Sequence, residues 1–170
     1  TPPSSPTTPE PRPEEPKPTR FDYPVGDNQP DGRRDGSGWY VSQDFEDSSK
    51  NAYKPPKLHS GEDWCRESGC VGQSVYAVAD GTVLAATADK SYGHYVIVRH
   101  PLSSAGDASH VTSFYGHLGE RGLVPAVGAD GQPKRVQRGD PLGQIGARGE
   151  NGVDKSGSPW PSHLHLEIRE

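Results

Sequence analysis

His163-Leu164-His165-Leu166-Glu167-Ile168-Arg169 (HLHLEIR, 163–169) alternates with period two, and that alternation decides the fold. In an extended strand His163, His165 and Glu167 point to one face and Leu164, Leu166 and Ile168 to the other. The leucine face is expected to be core. The opposite face presents two imidazoles on a rigid strand, which is either a platform for a metal or a solvated polar surface. Working outward, HVTSFYGHL (110–118) and HYVIVRH (94–100) are rich in β-branched and aromatic residues and read as strands. VYAVADGTVLAA (75–86) has two apolar runs around Asp80-Gly81, a hairpin cue. VQRGDPLGQIGARG (136–149) has short apolar runs broken by Gly and Pro, and WYVSQDF (39–45) is a further candidate strand. No window carries a helical stripe. The expectation is an all-β, antiparallel single domain.

The N-terminal region differs. Residues 1–20 hold eight prolines and no large apolar side chain, so they cannot bury enough surface to offset their ordering entropy. They read as a disordered tether, with residues 21–58 a polar extension on or flanking a domain at 59–170. A net charge of −5 argues against a nucleic-acid partner, and no apolar run is long enough to span a bilayer. A Pro/Ser/Thr tether before a domain suits an extracytoplasmic protein, periplasmic, envelope-anchored or secreted. Cys65 and Cys70 in CRESGC are spaced to close a small loop, and a disulfide is expected in such a compartment. The chain is expected to act as a monomer.

Two further segments carry candidate chemistry. His59-Ser60-Gly61-Glu62-Asp63 places a histidine and an aspartate four apart, in a loop because of Pro55-Pro56 upstream and Gly61 within. Gly61 would let the backbone turn so that both side chains converge. His117, in Tyr115-Gly116-His117-Leu118, sits at a strand end beside glycine.

Taken together, HSGED (59–63), VADGTV (78–83), GHYVIVRH (93–100), YGHL (115–118), GDPLGQIG (139–146) and HLHLE (163–167) resemble, in order, the lysostaphin/LytM family of zinc peptidoglycan endopeptidases. The resemblance implies one zinc held by His59, Asp63 and His165, with His117 and His163 catalytic rather than ligating. It also implies hydrolysis of peptide bonds in peptidoglycan stem peptides or cross-bridges. Two imidazoles and a carboxylate suit Zn²⁺ and leave a fourth position for water. There is no HExxH helix, so a histidine rather than a glutamate must serve as base. Tyr53 loosely matches a tyrosine often found near the oxyanion. Glu167 either hydrogen-bonds an imidazole or faces water. His94, His100 and His110 are given no chemical task. The stretches 119–137 and 147–162 are longer than the family's usual links and are expected to shape groove walls. The competing reading is a catalytically silent relative that binds the wall or activates another hydrolase; such relatives usually lose ligands, and here all are present.

Overall fold

The structure, a computed structural model, describes residues 20–28, 34–47, 58–102, 110–154 and 156–170. Its strands are β1 (Tyr40–Gln43), β2 (Glu62–Cys65), β3 (Ser74–Tyr76), β4 (Gly81–Asp89), β5 (Gly93–Pro101), β6 (His110–Leu118), β7 (Arg135–Val136), β8 (Pro141–Gln144) and β9 (Leu164–Arg169). No helix occurs among the described residues, and every strand pair is antiparallel. The all-β expectation therefore holds. Seven strands form one sheet in the order β1-β2-β9-β6-β5-β4-β7, while β3 and β8 pair separately. Val75 of β3 and Leu142 of β8 share a buried cluster with Val83, Val96, Val98, Tyr115, Leu118, Leu164 and Leu166 from the large sheet. The small sheet thus covers the apolar face, and the histidine face of β9 is left for chemistry.

Two local expectations are corrected. Asp80-Gly81 does not form a hairpin, because β3 pairs with β8 while β4 pairs with β5 and β7. The pair serves a crossing between the sheets instead. Asp80 Oδ1 accepts the Arg138 amide at 2.7 Å, pinning the loop before β8. A Cβ at Gly81 would lie 2.3 Å from the Arg99 carbonyl oxygen, so close backbone approach, not turn chemistry, requires glycine there. Ile168 is also not core. It is 52% exposed and lines an apolar groove with Phe21, Tyr23, Trp64 and Leu166, because β2 pairs with β9 only as far as Leu166.

The true hairpin joins β4 to β5. Its turn is held by Asp89 Oδ1, which accepts the amides of Ser91 (2.8 Å) and Tyr92 (2.7 Å), and this delivers Tyr92 to the functional face.

His100 is fully buried in the sheet. Its Nδ1 donates to the Asp80 carbonyl at 2.9 Å, and its Nε2 meets Ser113 Oγ at 2.6 Å, which in turn lies 3.0 Å from Tyr115 Oη. Burial holds the imidazole below its ordinary pKa despite the hydrogen bond to Asp80. A neutral histidine favours the folded state, so its contribution is complete above the unfolded pKa of ~6.5 and is lost as pH falls below that value towards the folded one. His100→Gln should cost about 1–3 kcal/mol near pH 7 by leaving a buried polar group short of its partner. The gap between wild type and variant should narrow as the pH drops from about 7 to 5. Urea denaturation across that range checks both; a gap that widens on acidification would overturn this account.

Candidate metal centre

The register of β2 against β9 sets Asp63 directly across from His165. On the other side of β9, Gly116 of β6 faces His165. A Cβ at Gly116 would lie 2.9 Å from the Phe114 ring and 3.1 Å from that of Tyr92, so only glycine leaves those rings their places beside His165. His59 arrives from the segment before β2, its amide bonded to the Asp47 carbonyl (3.3 Å) and its own carbonyl accepting the Glu46 amide (2.8 Å). Gly61 brings that segment onto β9: a Cβ there would lie 2.2 Å from the Leu166 carbonyl oxygen. Its use is close approach rather than the backbone turn expected from the sequence, and Asp63 lies in a strand rather than a loop.

The result is a tight triangle. His59 Nε2 to Asp63 Oδ1 is 3.1 Å, His59 Nε2 to His165 Nδ1 is 3.1 Å, and His165 Nδ1 to Asp63 Oδ1 is 2.8 Å. A tetrahedral cation with ligands at about 2.0–2.1 Å has ligand-to-ligand edges of about 3.3 Å, so the triangle is slightly contracted about a cation-sized point. The remaining ring nitrogens show that the lone pairs aim there. His59 Nδ1 is 3.0 Å from the Asp44 carbonyl, which can only accept, so the proton sits on Nδ1 and Nε2 is left as donor to a metal. His165 Nε2 is 2.8 Å from Glu167 Oε1, which places the proton on Nε2 and the lone pair on Nδ1. These outer partners are the kind that orient ligating imidazoles. Three acidic and imidazole side chains, His59, Asp63 and His165, thus offer ligand atoms all within 4.8 Å of one another.

Glu167 is buried and does not face water. Besides His165 it accepts Ser60 Oγ at 2.8 Å on Oε1, and Arg169 Nε on Oε2. Burial alone would raise its pKa, but the hydrogen bonds from His165, Arg169 and Ser60 bring it down to about 2. Asp63 behaves similarly: burial opposes ionisation, but the His165 imidazole against its carboxylate and the neighbouring His163 and His59 rings outweigh it and lower its pKa. Burial disfavours the charged form of His165, but the carboxylates of Asp63 and Glu167 on either side of the ring outweigh it and raise its pKa.

His117 and His163 flank this triangle, with ring centroids 4.4 Å apart. His117 has φ +61°, a left-handed conformation rare outside glycine. It is enforced from both sides, because its amide donates to the Tyr92 carbonyl (2.8 Å) and its carbonyl accepts the Gly146 amide (3.0 Å). Strain of this kind, held by its surroundings, is a pointer to function. Its Nδ1 donates to the Asn151 carbonyl at 2.6 Å; that of His163 donates to the Pro161 carbonyl at 2.7 Å. Both rings therefore keep Nε2 as an acceptor, and His163 Nε2 lies 3.5 Å from Asp63 Oδ1. Burial, then repulsion by His163, takes the His117 pKa down to about 3; burial also lowers His163. The walls are aromatic: Tyr92 lies 5.7 Å from the His117 ring and 5.6 Å from that of His165, and Trp160 5.7 Å from His117.

Tyr92 and Asn151 were not singled out from the sequence. Neither belongs to a motif; the β4–β5 turn and the loop before β9 bring them in. Tyr53 lies outside the described residues, as do residues 1–19. The expected disulfide is absent: Cys65 and Cys70 are thiols. Cys70 Sγ donates to the Ser162 carbonyl at 2.8 Å and Cys65 Sγ to Ser42 Oγ at 3.4 Å, and the two thiols also lie within hydrogen-bonding reach of each other. A hydrogen bond with Cys65, then burial, raises the Cys70 pKa far above the ordinary thiol range.

No protein of curated function matches the chain. Among solved structures it is similar to a zinc containing peptidase from Vibrio cholerae (TM-score 0.59, 20% identity, 89% of this chain and 37% of the other). It is similar to a chain of the SpoIIQ-SpoIIIAH pore forming complex (TM-score 0.56, 22% identity, 89% and 84%). It is also similar to a putative glycyl-glycine endopeptidase lytM from Ruminococcus gnavus (TM-score 0.54, 19% identity, 88% and 53%). At these identities the likeness is one of fold, and the chain spans little more than a third of the Vibrio protein. The stronger link is at family level, where residues 57–170, including every member of the histidine–aspartate cluster, match Peptidase family M23, to which this chain belongs.

Proposed function

We propose that the protein is a zinc-dependent endopeptidase that hydrolyses peptide bonds of peptidoglycan, outside the cytoplasm. The observation that carries the reading is the convergence of His59 Nε2, Asp63 Oδ1 and His165 Nδ1 on one point, each with its lone pair directed there by an outer partner or by ionisation. Bound there, zinc would act as a Lewis acid and lower the pKa of water towards ~7.

The chain's own residues do the rest. His163, neutral and beside the Asp63 carboxylate, is the better placed to take a proton from attacking water, since the imidazolium it becomes is stabilised by that carboxylate. His117, on the adjoining strand, is placed to hydrogen-bond the developing oxyanion or return a proton to the leaving amine. Tyr92 beside His117, and Trp160 beside His117 and His163, would shield the rings from water and offer flat surfaces for an extended peptide. Among the described residues no helix is long and apolar enough to cross a membrane, and the envelope location rests on the substrate.

The test is digestion of purified peptidoglycan with and without a chelator, with fragments identified by mass spectrometry. New amino termini that appear only when metal is present are expected. Metal binding without any cleavage would favour the second reading, a silent wall-binding or hydrolase-activating domain, which the likeness to a chain of a pore forming complex keeps open.

Glu167 gives a finer check. Glu167→Gln keeps the shape but removes the charge that holds His165 Nε2–H, and should weaken zinc binding by about 10–100-fold. Competition with a fluorescent chelator reads this directly. Unchanged affinity would mean that Glu167 serves only to anchor Ser60 and Arg169.

A further inference from the structure

The two imidazoles beside the ligand triangle are not held independently. His117 Nδ1 donates to the carbonyl of Asn151, and His163 Nδ1 to that of Pro161. The Asn151 side chain ties these two carbonyls together. Its Nδ2 donates to the Pro161 carbonyl at 2.9 Å and to that of Trp160 at 3.2 Å, and its Oδ1 accepts the Gly149 amide at 3.3 Å. The residue is fully buried, with both amide hydrogens and the amide oxygen engaged.

The frame around it is rigid. A Cβ on Gly93 would lie 2.6 Å from the Asn151 carbonyl carbon, and one on Gly152 would lie 2.4 Å from the Ser91 oxygen, so this segment is pressed backbone to backbone against the β4–β5 turn. The Val153 amide donates to the Lys90 carbonyl (2.9 Å) and Trp160 Nε1 to that of Ser91 (2.9 Å).

We infer that Asn151 is a positioning residue that sets the tautomer and aim of His117 and His163 together. The inference rests on the peptidase reading for its consequence, but not for its geometry. The tautomer matters because His163 has two rival proton acceptors. Its Nδ1 is 2.7 Å from the Pro161 carbonyl, while its Nε2 is 3.5 Å from the Asp63 carboxylate. With Pro161 held, the shorter contact wins and Nε2 keeps its lone pair. With Pro161 released, the ring can flip its proton to Nε2 and donate to Asp63. That would spend the acceptor needed for water and burden a ligand oxygen. Both lone pairs of the Pro161 carbonyl are used, one by each donor, so Asn151 and His163 lock the same atom. The loop that carries Asn151, residues 147–162, is one of the two stretches whose length departs from the family's usual links.

The experiment is long-range 1H–15N correlation NMR of the zinc-loaded, 15N-labelled protein at about pH 8, where unperturbed imidazoles are neutral. In the wild type His117 and His163 are both expected as Nδ1–H tautomers; an Nε2–H tautomer at either overturns the inference without any variant. In Asn151→Asp, which keeps the shape but loses both donors, the His163 ring should shift towards Nε2–H or a mixture. Turnover number should fall about 10–100-fold, as for a small misplacement of reacting groups. Michaelis constant and zinc stoichiometry should change little. Asn151→Ser provides the same comparison if the aspartate variant does not fold. Unchanged tautomers with lowered melting temperature would mean that Asn151 merely knits the loop. Absence of zinc and of hydrolysis in the wild type would overturn the functional reading instead, while the tautomers would still decide the role of Asn151.

Discussion

Asp63→Ala is expected to remove metal and hydrolysis together, leaving activity at background. Asp63 is the only carboxylate of the ligand triangle and supplies its negative charge; its lowered pKa keeps it ionised at neutral pH. Without it, two imidazole nitrogens 3.1 Å apart remain, a neutral pair that holds zinc far less well. The loss should exceed the ~10–100-fold typical of removing an outer hydrogen-bond partner, so Asp63→Ala should fall well below Glu167→Gln in the same chelator competition. Strand pairing should survive, because Asp63 pairs with His165 through backbone and its side chain points away from the core. Elemental analysis of protein purified without added metal, with circular dichroism to confirm folding, makes the measurement. A folded variant that retains one zinc per chain would show that Asp63 is not a ligand.

The parts of this architecture that were legible in advance depend on local pattern. Leu164 and Leu166 on β9 alternate with polar residues, and a strand buried on one face must do so. The histidine and aspartate positions were legible because their order resembles a known family; the spacing of HSGED alone would not have brought His59 to His165 across 106 residues. Where the reading failed, one local signal served a different tertiary purpose. Asp80-Gly81 has hairpin chemistry, yet the glycine is there to admit the Arg99 carbonyl and the aspartate to hold the Arg138 amide. Ile168 keeps the period of β9 but runs past the end of β2, where nothing among the described residues covers it fully. Glu167 was ambiguous because alternation gives a face and not its contents; Arg169 and Ser60 make that face dry. Tyr92 and Asn151 carry no sequence signal at all. Tyr92 acts through its ring and its carbonyl, Asn151 through its side-chain amide and its carbonyl, and only the tertiary fold brings either beside the histidines.

The second large effect separates His117 and His163 from the ligands. Replacing either with alanine should leave zinc near one per chain while turnover falls ~10²–10⁴-fold, the usual loss for one positioned acid–base group. The two imidazoles, His165 on β9 and His163 just before it, differ in how their nitrogens are engaged. His165 turns Nδ1 to Asp63 and His59, with its other nitrogen committed to Glu167. His163 commits Nδ1 to Pro161 and leaves Nε2 beside Asp63 Oδ1 at 3.5 Å, outside the triangle whose edges are 2.8–3.1 Å. His117 is kept further back by its hydrogen bond to Asn151 and by the backbone conformation that Tyr92 and Gly146 impose. The two variants should also differ from each other. His163→Ala removes the acceptor nearest Asp63, so it should be the more damaging and the less rescued by a better leaving group. His117→Ala removes a group that serves the oxyanion or the departing amine, so a substrate with an activated leaving group should recover part of its rate. Zinc content, turnover on a peptide amide and turnover on an activated analogue, measured on both variants, give the comparison. A His163→Ala protein that loses its metal while His165→Ala keeps it would show that the two histidines of β9 and its approach have exchanged roles. Equal rescue of both variants by the activated substrate would mean that the proton acceptor lies elsewhere.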